Sequence, residues 1–105
     1  MGKPTQEHYL NNREKFPEYF KKLEELGEQT KKQSPFEEKT IQLIQLAGSV
    51  ASASEGATHS HTKQALESGA SKEEIQHTVL LLTSTIGFPS TMAGLSWVND
   101  ILEAD

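Results

Sequence analysis

The chain contains no cysteine. Disulfides, thiolate nucleophiles and thiol peroxidase chemistry are therefore excluded, and a reducing compartment fits the absence. No long hydrophobic run is present either. The longest bulky apolar stretch, Val79-Leu80-Leu81-Leu82, is far too short to span a bilayer. The opening residues Met1-Gly2-Lys3-Pro4 carry no apolar signal core. Positive charge is in deficit: 10 Lys and Arg stand against 15 Asp and Glu, for a formal charge of −5. That balance disfavours a broad nucleic-acid face and makes acidic membranes poor partners. A soluble cytoplasmic protein is expected, without nucleic-acid or membrane partners. Strand signals are missing as well, since no period-two alternation and no Asn-Gly or Asp-Gly hairpin dipeptide occurs.

Bulk is also scarce. Apolar residues make up 34% of the 105 residues, which is low for a compact monomer. Alanine, glycine and serine dominate residues 47–57. Such residues let helices approach closely but bury little area each. A single domain spanning 1–105 is expected, with a partner surface from a second copy adding to its stability.

What remains is helical periodicity, divided by caps and breakers. Thr5 is placed to cap a first helix over about residues 6–15. Phe16-Pro17 ends it and opens a second. That second helix carries Tyr19, Phe20, Leu23 and Leu26 on one stripe. Gly27 marks its end or the pattern runs on through Thr30, and Gln29–Gln33 reads as a polar loop. Ser34-Pro35-Phe36-Glu37 has the form of a helix start. The third helix then runs to about Ser52. A fourth is expected from Gly56 to Ser68, stopping at Gly69. Ser71-Lys72-Glu73-Glu74 is a capping box opening a fifth. Its run Val79–Leu82 predicts burial on all sides, centrally or against another subunit. Gly87-Phe88-Pro89-Ser90 breaks the chain before a last helix over about 90–102. The architecture expected is all-α, with five to six helices.

The chemistry-bearing groups concentrate between Ser54 and Ala65. His59 and His61 stand there, with Glu55 just upstream. An imidazole exchanges protons near neutral pH, so His61 is a candidate general acid or base; it also suits a polar helix residue satisfied by a neighbour. Glu55 could orient a histidine or act as an acid. It equally suits a helix N-terminus, where the dipole favours a carboxylate. On a regular helix Glu55 and His59 share a face. Glu55 and His61 diverge by about 120° and His59 and His61 by about 200°, so a His-x-His metal chelate is not expected. His77 sits among apolar neighbours and reads as a core or interface histidine. His8 reads as surface. Trp97 and Phe88 read as packing aromatics rather than pocket walls.

Residues 34–102 resemble the carboxymuconolactone decarboxylase family, which includes the alkyl hydroperoxidase D-like proteins. The resemblance rests on Leu43-Ile44 and Leu46-Ala47, on His61, Ala65 and Gly69 at four-residue steps, on Ser71-Lys72-Glu73-Glu74-Ile75 and on Ile86-Gly87-Phe88-Pro89. It implies an all-helical subunit that assembles into trimers or hexamers. In the peroxidase branch a glutamate precedes a Cys-x-x-Cys pair and a histidine follows it. Anchored on His61, those places hold Gln42, Ser54 and Ala57, so the relay is not present. Gln42 then either hydrogen-bonds His61 or packs as a neutral replacement. The decarboxylase branch lacks the cysteine pair, keeps the histidine and nearby acids, and uses neither an organic cofactor nor a metal.

The resemblance thus implies a cofactor-independent decarboxylase-like enzyme acting on a small carboxylated lactone or related acid. His61 would be the proton donor or acceptor, with Glu55 and His59 assisting. The rival expectation is a non-catalytic oligomeric binding or assembly protein that kept the scaffold.

Overall fold

The computed structural model describes residues 6–104. The proposed Thr5 cap lies outside them. The elements are α1 (Gln6–Lys15), α2 (Pro17–Lys32), α3 (Glu38–Ala51), α4 (Glu55–Glu67), α5 (Lys72–Leu80), the single turn α6 (Thr83–Ile86) and α7 (Phe88–Leu102). Among the described residues there is no strand, and no helix is long and apolar enough to cross a membrane. Two compact units are distinguished, Met1–Pro35 and Phe36–Asp105.

In the first unit, Phe16 interrupts the helix and Pro17 opens α2 at a position where the missing amide costs nothing. Tyr9 and Phe20 meet edge to face at 5.6 Å, and Arg13 pairs with Glu24. Of the two ends open to α2, the pattern runs on past Gly27 and through Thr30 to Lys32, taking up most of the expected loop at Gln29–Gln33. Gly27 is not among the left-handed glycines, so nothing turns the chain there. Thr30 instead donates its hydroxyl to the Gly27 carbonyl. Lys31 and Lys32 occupy the last turn, where the helix dipole favours cations.

The start predicted at Ser34-Pro35 is also displaced. Ser34 donates its amide to Lys31, closing the turn after α2 rather than opening the next helix. Glu37, extended and without a side-chain cap bond, precedes α3.

In the second unit α3, α4, α5 and α7 enclose a core of Leu46, Val50, Ala65, Ala70, Ile75, Val79, Val98 and Leu102. The α3–α4 pair is the most extensive, followed by α4–α7. Small residues make this packing close. A Cβ on Gly94 would lie 2.5 Å from Val50 Cγ1 and 3.2 Å from Val79 Cγ1. A glycine at that place is what lets α7 approach both α3 and α5.

Two turns set the entry and exit of α4. Ala53 takes φ of +59° while Ala53 and Ser54 donate back to Val50 and Ser49. This is a Schellman stop with alanine where glycine is usual. At the other end Gly69 takes φ of +97°, and Ala70 N–H reaches Ala65 at 2.9 Å. The expected stop at Gly69 is therefore present, and Ala70 is the buried contact that accompanies it. The capping box at Ser71 and Glu74 forms in both directions, and Glu74 also pairs with Lys39 of α3 at 3.1 Å.

The run Val79–Leu82 is not buried all round within this chain. Only Val79 lies in the core, stacked one turn after Ile75; α5 ends at Leu80 and Leu81 is 77% exposed. His77, expected in core or interface, is exposed here because it lies off the Ile75–Val79 stripe. Phe88 is likewise exposed, and Trp97 is half-buried. The last helix begins two residues before the expected Ser90, with Pro89 in its first turn.

Candidate functional site

α4 begins one residue earlier than the expected Gly56. Ser54 is its N-cap, accepting from the Ala57 amide at 3.2 Å, so Glu55 occupies the first helical position. The carboxylate therefore sits where the dipole favours it and stays on the helical face it shares with His59. Thr58, Thr62 and Ala65 form the buried stripe of α4. Both threonine hydroxyls donate one turn back, to Ser54 and Thr58 at 2.7 Å each. Their polarity is thus satisfied inside the helix itself.

At about 100° per residue, His61 falls on one flank of that stripe and Glu55 and His59 on the other. The flanks face different helices. On the first, His61 Nδ1 lies 3.1 Å from Gln42 Oε1 of α3. Gln42 is 2% exposed, and its amide nitrogen donates to Glu38 Oε2 at 2.8 Å. That donation turns the Gln42 carbonyl toward the ring, so Nδ1 is the imidazole donor and Nε2 the lone-pair nitrogen of the neutral ring. Of the two roles open to Gln42, hydrogen bonding to His61 is the one observed. One turn further along α3, Gln45 Oε1 is a buried acceptor with no partner in the structure.

On the second flank, His59 Nε2 lies 3.0 Å from Asp100 Oδ2 of α7 and 3.9 Å from Glu55 Oε2. The structure thus brings Glu55 and His59 together and separates both from His61. The two histidines serve different neighbours, as their divergence on one helix requires. All three residues are partly accessible rather than sealed.

Two participants were not among the expected site residues. Glu38 is legible in retrospect, because it precedes Gln42 by four residues and must share its face. Asp100 carries no local signal; it meets His59 only through the packing of α7 on α4.

A family model described as the carboxymuconolactone decarboxylase family matches residues 17–100. The chain belongs to that family. The all-helical subunit agrees with it, and the chain is a cysteine-less member. No curated protein and no solved structure gives a match. The family match begins within the first unit and includes α2, which the resemblance read from residues 34–102 does not reach.

Proposed function

We propose that the chain is a cofactor-independent decarboxylase-like enzyme for a small carboxylated lactone or related acid. The observation that carries this reading is the Glu38–Gln42–His61 chain of hydrogen bonds. A buried amide with no role would leave the imidazole free to rotate and exchange tautomers. Here it holds Nδ1 as donor and fixes the plane of the ring.

In the reaction, the bond between the ring carbon and the carboxylate carbon breaks and carbon dioxide departs. The electron pair stays on the ring carbon, delocalised toward the lactone carbonyl as an enolate. His61 first takes a proton from solvent at Nε2, giving the imidazolium with Nδ1 still donating to Gln42, then passes the Nε2 proton to that carbon and returns to the neutral ring. Positioned proton transfer of this kind contributes roughly 10²–10⁴-fold. Glu55 and His59 assist from the opposite flank of α4 through the local field, since they do not touch the His61–Gln42 bond.

Assembly into a trimer or hexamer belongs to the same reading. Its support is the apolar stripe of α2, whose Tyr19 and Leu26 are 65% and 62% exposed. That stripe also supports the second reading, a non-catalytic assembly or binding protein, as does the absence of the thiol pair.

The test is incubation of the purified full chain with 4-carboxymuconolactone, following loss of the carboxylate by NMR. Repeated turnover supports the enzyme. Saturable binding without turnover favours the second reading.

A further inference from the structure

We propose that Glu55, His59 and Asp100 form a binding site for one zinc-class divalent cation in the seam between α4 and α7. One nitrogen and two carboxylate oxygens converge there, all within 4.8 Å of one another. In a tetrahedral zinc site with bonds of about 2.0–2.2 Å, the ligand atoms stand about 3.3–3.6 Å apart. The observed separations of 3.0 Å and 3.9 Å from His59 Nε2 bracket that range. Two of the three pairs thus stand near ligand spacing already, and the third lies within 4.8 Å.

The donor types select the cation class. An imidazole suits zinc, nickel, copper and iron, whereas magnesium and calcium sites are built from oxygens. Charge points the same way. With a neutral ring the three groups carry two negative charges, which favours a cation. Three protein ligands leave a fourth position for water or a small anion. Asp100, at 52% side-chain exposure, leaves that side open, while Glu55 and His59 are 22% and 27% exposed.

The supports are rigid. Ser54 caps the helix that carries Glu55 and His59. Thr58 and Thr62, both fully buried, seat it against its neighbours. Asp100 is fixed between Val98 and Leu102, which are both in the core. A helix supplying ligands at i and i+4, with a third from a packed neighbour, needs little reordering on binding. The inference shares Glu55 and His59 with the functional reading but does not depend on the proton carried by His61. Its readout is metal uptake rather than turnover, so the failure of one is distinguishable from the failure of the other.

The experiment is titration of the tag-free full chain with zinc sulfate by calorimetry. Cobalt(II) is used in parallel for its visible absorption, which reports coordination number. The expected result is one ion per chain, intense tetrahedral cobalt bands and a raised thermal midpoint. Removing even a group that only supports a metal ligand typically costs roughly 10–100-fold in affinity. His59→Asn and Asp100→Asn should therefore each weaken zinc by at least about tenfold, while exposed His77→Ala leaves it unchanged. Glu55→Gln, which keeps the shape of the first turn, should weaken it likewise. Asp100→Asn is a surface change, so loss of binding in a variant with an unaltered metal-free melt cannot be ascribed to unfolding. Absence of uptake, equal affinity in the His59 and Asp100 variants, or loss on His77→Ala would each overturn the proposal.

Discussion

At the scale of single residues, the account turns on which way two side chains face. Gln42 is the informative one. By the resemblance it takes the place of the peroxidase branch's glutamate, and it is buried and bonded to His61. The neutral amide orients the ring without a charge of its own, and Glu38 supplies a carboxylate one turn away. Gln42→Leu should therefore abolish the preference for the Nδ1–H tautomer of His61, read from imidazole nitrogen shifts. Turnover should fall with it while the helical circular dichroism persists; an unchanged tautomer in the variant would contradict the role. Ala53 makes a separate prediction. A non-glycine residue in the left-handed region costs about 1–2 kcal/mol, so Ala53→Gly should stabilise the fold by roughly 0.5–1 kcal/mol after the added unfolded-state entropy, measured by denaturant unfolding. The sequence shows Glu55, His59 and His61 as the chemical stretch, and helix geometry alone separates the histidines. It does not show Asp100, because a partner 41 residues away along the chain depends on how two helices pack.

At the scale of elements, a local signal held only where the backbone geometry agreed with it. The Ser71 box and the Gly69 stop follow from local chemistry and stand where the pattern puts them. Gly27 and Ser34-Pro35 fail for a shared reason. A glycine ends a helix only if the chain turns left-handed there, and a serine caps only if its backbone is not already closing another turn. The α5 box gives a pH test. The Ser71 backbone amide, followed by the Lys39 side chain, holds the Glu74 carboxyl below the ordinary carboxylate range. A carboxyl with a depressed folded pKa adds stability above its unfolded pKa and loses it as pH falls through the folded value. Glu74→Gln should thus lower the thermal midpoint at neutral pH, with the gap to wild type closing in acid. Ser71→Ala should cost about 1 kcal/mol through the lost cap. A gap that widens in acid would refute the assignment of Glu74.

At the scale of the whole molecule, small residues set the architecture. The all-helical class was plain from the sequence because every periodic segment is helical. The close approach at Gly94 was not, since nothing local distinguishes that glycine from Gly27 or Gly48, where an added Cβ meets nothing within 4 Å. Gly94→Ala should destabilise by about 1–3 kcal/mol, because both of its neighbours are branched valines with little freedom to yield. A neutral result in chemical unfolding would show that α7 can shift. The measurement that tests the central claim most directly compares decarboxylation of 4-carboxymuconolactone by wild type, His61→Ala and Glu55→Gln, each verified as folded. The account predicts turnover by wild type, a loss of roughly 10²-fold or more in His61→Ala, and a smaller loss in Glu55→Gln. Turnover that survives in a folded His61→Ala protein would contradict it.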